Sequence, residues 1–158
     1  MLKIWGGMFL NCRSLYSVPL LDTSKVTNMA QMFEGCSSLT SVPLFNTTNV
    51  TSMRYTFLEC YSLPSVPLFD TSNVTNMWSI FHSCSSLSAI PSFDVSNVTN
   101  CQQMFYGCKS VSNGILDMYN ALSVLGLGYP YYSLCFCDCG INTQTGSAEL
   151  AQIPSDWK

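Results

Sequence analysis

This chain of 158 residues is predicted to fold as an α/β repeat solenoid, and three features of the sequence lead to that prediction. Apolar residues return at a constant interval along most of the chain. Each unit combines a segment of helical spacing with a segment typical of a short strand. Hydrophobic residues make up 47% of the chain and charged residues only 9%, against roughly 25% charged residues in ordinary soluble domains.

The repeat appears in several columns that agree without gaps. The columns share a period of 24 residues. A period of this length marks stacked units, because a single unit cannot bury its apolar face alone. The columns hold proline (Pro19, Pro43, Pro67, Pro91), cysteine (Cys12, Cys36, Cys60, Cys84, Cys108), phenylalanine (Phe9, Phe33, Phe57, Phe81, Phe105), valine (Val26, Val50, Val74, Val98, with Leu2 in the preceding register) and leucine (Leu15, Leu39, Leu63, Leu87, with Val111).

Within a unit, the segment NMAQMFEGC predicts a short helix or a 3₁₀ turn. Its apolar residues share one face at helical spacing, and the stretch is too brief to be stable alone. The predicted inward residues are Met29, Met32, Phe33 and Cys36, and the predicted outward residues are Ala30, Gln31 and Glu34.

The following segment, SLTSVPLF, predicts a short strand with Leu39, Val42 and Leu44 buried. Pro43 lacks an N–H group and ends or interrupts the ladder. DTSNVT then supplies turn chemistry, because Asp and Thr side chains bond nearby backbone N–H groups. The acidic column of the repeat is expected to close these corners, and it contains Asp22, Asn46, Asp70 and Asp94.

A period of about 24 residues lies within the roughly 20–29 residues of leucine-rich repeats. We therefore expect residues 1–113 to form a solenoid of that type, with a partial first unit and four complete units. Like charges repel one another in a ladder of equivalent side chains, whereas hydroxyl and amide groups can hydrogen-bond. This accounts for the 46 residues of 158 that are Ser, Thr or Asn.

Residues 114–158 are predicted to cap the open end of the solenoid, as terminal segments of repeat proteins do. SNGILDMYNALSVLGLG has Ile115, Tyr119, Leu122 and Leu125 on one helical face, after an N-cap at Ser112 or Asn113. YYSLCFCDCG predicts a strand and a turn, and SAELAQIPSDWK a last helical turn and tail. The capping segment is therefore expected to be mainly helical.

The N-terminal end begins in mid-unit, with Trp5 in the methionine column. Either the chain is the C-terminal piece of something longer, or it exposes a bare edge, which would invite self-association through pairing with another chain. MLKIWGGMFL falls far short of the apolar region and cleavage site of a signal peptide, so any export is expected to use a signal outside this chain or another machinery. No stretch reaches about 18 apolar residues, so no membrane insertion is expected.

FDTSNVTNMWSIFHSCSSLSAIPSF and its sister units resemble the BspA-like leucine-rich-repeat family of bacterial surface proteins. The resemblance covers roughly residues 2–113. It implies a location at the cell surface or outside the cell, and adhesion to host proteins or other cells without catalysis.

The nine cysteines could form disulfides or metal sites, or they could be core residues. Five thiols spaced one repeat apart cannot all pair as disulfides, and zinc sites use pairs of cysteines close in sequence. We therefore expect the five cysteines of the column to fill the core beside Phe. Cys135, Cys137 and Cys139 would share one face of a strand and offer a soft-metal site, but no His or fourth ligand lies nearby. No metal and no cofactor are therefore expected.

Charge and motifs exclude several functions. Nucleic-acid-binding proteins have clustered Lys and Arg residues and a positive net charge, whereas this chain has a net charge of −3. His82 stands two residues from Cys84, yet a catalytic pair needs an exposed thiol and an orienting group. No phosphate-binding loop or nucleophile elbow is present. The chain is therefore not expected to be an enzyme.

Positions that vary between units are where a binding surface can be specified. Aromatic and Arg side chains anchor interfaces best. The predicted binding residues are Arg54, Tyr55, Trp78, His82 and Tyr106. A second predicted face consists of Tyr16, Thr40, Pro64 and Ser88 beside Ser17, Ser41, Ser65 and Ala89.

Two functional hypotheses follow. In the first, the chain is a non-catalytic binding module of a surface adhesin that recognises a protein or glycan. In the second, it is a structural assembly component, phage-borne or secreted, joined through its N-terminal edge.

Overall fold

The chain winds into stacked coils that pair in parallel at one position of each repeat. The computed structural model describes residues 3–158, so Leu2 of the valine column lies outside the described residues. Strand β1 (Lys3–Ile4) pairs in parallel with β2 (Val26–Asn28). Single parallel bridges then join Asn28 to Ser52, Ser52 to Asn76, and Asn76 to Asn100. The described residues therefore form a repeat solenoid, as predicted.

The β pairing lies in the V-T-N segment and not in the segment predicted to be a strand. Residues 39–46 have no regular secondary structure, so the predicted strand in SLTSVPLF is wrong. Val and Thr favour the extended backbone of a ladder, whereas Pro43 cannot donate to one. The expected burial of Leu44 is also wrong: its side chain is 61% exposed, while that of Phe45 is 3% exposed.

The predicted helix of each unit is a run of turns instead. Gln31, Tyr55, Ser79 and Gln103 have φ between 53° and 62°, in the left-handed region that an α-helix does not contain. Ala30, predicted to point outward, is buried. In the described residues, α-helix occurs only after the repeats, in α1 (Ile115–Ser123) and α2 (Gln144–Ala151), and a 3₁₀ helix spans Ser155–Trp157.

These turns form the hydrogen-bond ladder between coils. The N–H of Met32 donates within its own coil to Met29, whereas those of Gln31 and Phe33 donate to the carbonyls of Arg54 and Thr56 in the next coil. Alternate N–H groups thus serve the turn and the neighbouring coil. A helix would use these donors internally, which explains why stacking excludes it.

Two columns of phenylalanine form the centre of the core. Neighbouring rings of the first column are stacked with centroids 5.4–5.6 Å apart, and those of the second lie 6.3 Å apart. The first column contains Phe9, Phe33, Phe57, Phe81 and Phe105, and the second contains Phe45, Phe69 and Phe93.

Four members of the cysteine column, from Cys36 to Cys108, fill the core next to these rings, as predicted. The prediction is wrong for Cys12, which lies in the first coil and is exposed. The thiols of Cys36, Cys60, Cys84 and Cys108 donate to the carbonyl oxygens of Phe9, Phe33, Phe57 and Phe81 at 3.0–3.2 Å. Burial raises the pKa of the Cys36 thiol to about 11, with a smaller increase from Cys12. These side chains are therefore neutral core residues.

The predicted closure of the corners by the acidic column is confirmed. A side-chain oxygen accepts a hydrogen bond from the backbone N–H two residues ahead in each of the four repeats. The accepting residues are Asp22, Asn46, Asp70 and Asp94. Hydrogen bonds from Ser72 lower the pKa of Asp70, and those from Ser96 lower the pKa of Asp94.

The predicted strand in YYSLCFCDCG is wrong, because this segment adds a further coil. The N–H of Met77 donates to the carbonyl of Asn100, one repeat later, as in the preceding coils. The N–H of Cys101 reaches past α1 to the carbonyl of Tyr131. Phe136 stacks on Phe105 with ring centroids 5.8 Å apart. The insertion that contains α1 therefore displaces the register without ending the stack.

The last helices pack on this coil. The carboxylate of Glu149 in α2 accepts from the N–H groups of Ile115 and Leu116 at 2.8 and 3.2 Å, so α2 caps the first turn of α1. Ser112 and Asn113 are not the N-cap, since Gly114 precedes α1 in the left-handed conformation. Trp157 lies against Phe136, with ring centroids 6.4 Å apart.

A pair of neighbouring substitutions tests the burial pattern. We expect Phe45→Ala to lower the free energy of unfolding by about 3–5 kcal/mol, because it opens a cavity between stacked rings. Leu44→Ala is expected to change it by no more than about 0.5 kcal/mol, because that side chain faces solvent. Urea unfolding followed by circular dichroism measures both; equal losses for the two variants would contradict the structure.

Candidate binding surface

The five predicted binding residues form two aromatic pairs, each bridging neighbouring coils. The rings of Tyr55 and Trp78 lie 4.8 Å apart between centroids and are tilted by 51°. The rings of His82 and Tyr106 are stacked at 4.7 Å with an interplanar angle of 6°. The Arg54 guanidinium lies 5.7 Å from the centre of the Tyr55 ring. We call these five residues the aromatic surface.

The ladder between coils positions these side chains. The N–H of Tyr55 donates to the carbonyl of Trp78, and that of Ser83 donates to the carbonyl of Tyr106. Cross-strand side chains at ladder distance stack when both are aromatic. Arg54 is exposed and the four rings are half-buried, so each pair presents part of its surface to solvent.

Trp78 contains an unusual donor. Its indole Nε1 is buried and has no hydrogen-bond partner among the described residues. A buried donor without an acceptor costs about 1–3 kcal/mol, which makes the position unfavourable for stability alone. Burial also raises the pKa of Tyr55, and Arg54 offsets part of this increase. The Tyr55 phenol is therefore uncharged, like the Trp78 indole, which does not titrate.

His82 is held as a neutral ring. Its Nδ1 lies 3.0 Å from the Ser83 hydroxyl. Burial lowers the pKa of His82, while Glu59 acts in the opposite direction. Cys84 points into the core and donates to Phe57, so the two residues do not form a nucleophile–base pair.

A hollow of about 330 Å³ opens beside the stacked His82–Tyr106 pair. The sequence missed three of its polar residues: Tyr61, Lys109 and Asp138. Tyr61 and Lys109 stand where other units have Ser37 and Ser85, so comparison of the units could have found them. Asp138 could not be found in this way, because the insertion that contains α1 shifts it out of the 24-residue step. The hollow is lined by Tyr61, Ser83, Ser85, Tyr106, Gly107, Lys109 and Asp138.

The second predicted face uses many of its polar groups between coils. The hydroxyls of Thr40 and Ser88 donate to the carbonyls of Tyr16 and Pro64. Tyr16 and Pro64 have exposed side chains that do not form a ring pair within the described residues. This face therefore offers mainly a hydrogen-bonded hydroxyl column.

The three thiols near the C-terminus do not share one face. Cys135 and Cys139 are buried, whereas Cys137 is partly exposed, because the segment forms turns and not a strand. In residues 3–158, no three or more His, Cys, Asp or Glu side chains are grouped to hold a metal ion.

Stacked coils with short parallel pairing define a leucine-rich-repeat solenoid, and two solved structures share this fold. A leucine-rich repeat protein from Eubacterium ventriosum matches with a TM-score of 0.57 and 20% identity, over 89% of this chain and 37% of that protein. The T. pallidum leucine-rich repeat protein TpLRR matches with a TM-score of 0.53 and 18% identity, over 95% of this chain and 75% of that protein. The chain thus spans little more than a third of the first relative.

The chain belongs to the DUF285 family, described as a Mycoplasma protein of unknown function, which matches residues 5–119. No curated protein sequence matches it. No helix within residues 3–158 has the length and hydropathy needed to cross a membrane.

The neutral state of His82 predicts a pH dependence of stability. Because its pKa is lower in the folded chain than the ordinary value of 6.5, the unfolded chain takes up the proton first as the pH falls. Stability is therefore expected to decrease from pH 7.5 to pH 5.5. The chain has one histidine, so His82→Gln is expected to remove this decrease. An unchanged slope of unfolding free energy against pH in His82→Gln would contradict the assignment.

Proposed function

We propose that this chain is a non-catalytic binding module that recognises a protein or glycan through the aromatic surface. The observation that carries the proposal is the pairing of half-buried rings across coils at positions where the repeat varies. Arg54 extends this surface beside Tyr55. Tyr, Trp and Arg are the residues that anchor interfaces most strongly.

Catalysis is not part of the proposal. The thiols of the repeat column after Cys12 are buried and bonded to carbonyls, and burial is the main cause that raises their pKa values. Such thiols are poor nucleophiles. We likewise propose no nucleic-acid partner, because the net charge of −3 does not favour contact with phosphate. We propose no membrane insertion, because no stretch of the sequence reaches about 18 apolar residues.

A role at the bacterial cell surface follows from the resemblance to BspA-like repeats. We propose adhesion as the biological purpose of the binding module and the cell surface or the extracellular space as its location. The leucine-rich-repeat fold supports this, because solenoids present extended binding faces. The description of the family as one of unknown function leaves the ligand open.

We also propose that residues 114–158 cap a 24-residue-period solenoid formed by residues 1–113, with residues 131–137 adding one last coil that the remaining residues cover. The contact of Trp157 with Phe136 supports this, because it covers the end of the stacked rings. The backbone N–H of Phe136 donates to the carbonyl of Trp157 at 3.0 Å, so a donor at the end of the ladder also has a partner.

Ligand binding by the aromatic surface can be tested with substitutions taken from the repeat itself. Gln31 and Gln103 occupy the position of Tyr55 with the same positive φ, and Gln102 occupies that of Trp78. The double variant Tyr55→Gln, Trp78→Gln is therefore expected to fold and to bind at least about tenfold more weakly. An array of mammalian glycans and a panel of immobilised extracellular-matrix proteins provide the ligands.

The control is Tyr16→Ser on the second face, where an exposed ring is removed away from the aromatic surface. Its binding is expected to match that of the unmodified chain. If the double variant binds every captured ligand as tightly as the unmodified chain does, the proposal is wrong.

A structural assembly role is the second candidate function, favoured by the N-terminal edge. The N–H groups of Trp5, Phe9 and Asn11 donate to the second coil. The carbonyls of Ala30, Met32 and Glu34 accept from Gly7, Phe9 and Asn11, whereas the equivalent carbonyls one repeat earlier, those of Gly6, Met8 and Leu10, accept no backbone hydrogen bond from another coil of the described residues. The side chains of Ile4, Met8 and Leu10 are exposed. Unpaired edges of this kind favour association.

Light scattering at increasing protein concentration tests this second role. Association is expected for the unmodified chain, and the double variant Ile4→Lys, Leu10→Lys is expected to remain monomeric, because lysine protects an open edge. A monomer at every concentration for both proteins would rule the second role out.

A further inference from the structure

A row of exposed leucines lies apart from the aromatic surface. Leu20, Leu44 and Leu68 occupy the same position in three successive units and are 70%, 61% and 64% exposed. Ser92 holds that position in the fourth unit, so the fold does not require leucine there. We call the three leucines the leucine ridge.

The three leucines flank two open hollows of equal volume. The first lies between Leu20 and Leu44, the second lies between Leu44 and Leu68, and each has a volume of about 380 Å³. Thr23 lines the first hollow and Thr47 the second. Polar residues of the corners complete both hollows, with Asp22 and Asn46 in the first and Asn46 and Asp70 in the second. The same hollow, with a leucine on either side and polar corner residues, therefore occurs twice, one coil apart.

Carboxylates occur at both ends of the leucine ridge, with two of them in successive coils at one end. Asp70 lines the second hollow, and Asp94 occupies the same repeat position one coil later. Hydrogen bonds from Ser72 lower the pKa of Asp70, and the charge of Asp94 raises it, so the two carboxylates repel each other. At the other end, Asp22 lines the first hollow, and Asn46 takes the same position between Asp22 and Asp70.

We propose that the leucine ridge docks an amphipathic α-helix of a partner protein, with its apolar side chains in the two hollows and its basic side chains over Asp70 and Asp94. The partner is thus defined by its chemistry: apolar side chains between the leucines, and cations where Asp70 and Asp94 stand in successive coils. Cations placed between the two carboxylates relieve their repulsion.

The spacing of the coils fits such a helix. The rings of Phe45, Phe69 and Phe93, which follow the ridge position in each unit, are 6.3 Å apart. Side chains four residues apart on a helix are separated by about 6.0 Å along its axis, so two of them reach neighbouring hollows. A peptide strand laid along the ridge would run across the coils, so its backbone N–H and C=O groups could not form a β-ladder with any of them. A helix forms its backbone hydrogen bonds internally and needs only side-chain contacts with the ridge.

Two other occupants fit less well. Anionic membrane surfaces recruit clusters of Lys and Arg, whereas this ridge ends in carboxylates. A second copy placed ridge to ridge in a symmetric, antiparallel arrangement would cover the leucines but would leave the carboxylates without cations other than Lys25. The two carboxylates in successive coils, Asp70 and Asp94, therefore favour a basic partner of different sequence.

A synthetic peptide tests the proposal. The probe is a blocked, fluorescently labelled helix of about 18 residues, with leucine at helical spacing on one face and lysine in its last two turns. A matched control peptide carries glutamate in place of lysine. Fluorescence anisotropy against the full chain is expected to show saturable binding of the lysine peptide, weakened by added salt, and at least about tenfold weaker binding of the glutamate peptide.

Two variants copied from the repeat locate the contact. Leu44→Ser with Leu68→Ser reproduces Ser92, and Asp70→Asn with Asp94→Asn reproduces Asn46, which makes the same turn. Both are expected to keep the far-UV circular dichroism and the melting temperature of the unmodified chain. The serine variant is expected to bind the lysine peptide at least about tenfold more weakly, and the asparagine variant to lose most of the salt dependence.

Three results would overturn the proposal. They are absence of saturable binding, equal binding of the lysine and glutamate peptides, and undiminished binding by the serine variant. Concentration-dependent dimers of the unmodified chain that vanish in the serine variant would assign the ridge to a second copy instead. The aromatic surface is unchanged in both variants, so its ligand binding is scored separately.

Discussion

The hydrogen-bond ladder between successive turn segments is the interaction on which this structure depends. In each coil, alternate N–H groups such as those of Met53, Tyr55 and Phe57 donate to carbonyl groups of the next coil, while the intervening N–H groups close local turns. This division satisfies the backbone without a helix or a long strand. It also sets the rise from coil to coil, which places equivalent side chains within contact of one another.

Stacking at that rise determines the composition. The rings of Phe and the thiols of Cys form continuous columns inside, and Thr, Ser and Asn form hydrogen-bonded columns at the edges, as in the bonds from Thr47 to Asp70 and from Asn73 to Thr48. A charged residue in such a column meets its own copy in the next coil. Positions that depart from the repeated Ser, Thr and Asn pattern, such as Arg54 and Trp78, are therefore where function can be specified. Both residues lie in the aromatic surface.

Comparison of predicted and observed elements shows where local pattern is sufficient. The repeat, the inward Phe and Cys columns and the Asx corners followed from the sequence, because each depends on residue type at a constant step. The short helix and the strand did not. Helical spacing at Met29, Met32 and Phe33 also fits a run of turns in which Gln31 adopts positive φ, and only the neighbouring coil decides between them. For the site, variation between units identified Tyr55 and His82 but not Asp138 or the leucine ridge.

The sequence by itself determined that this chain stacks repeated units around columns of Phe and Cys, since those residues must be buried and recur in register. Tertiary structure decided the rest: which backbone segment pairs, that Leu44 faces solvent and Phe45 the core, and that Tyr131–Cys137 rejoin the stack after α1. The physical reason is that each backbone donor has acceptors both in its own turn and in the adjacent coil. The choice between them depends on a neighbour at least one full repeat along the chain, which no local pattern contains.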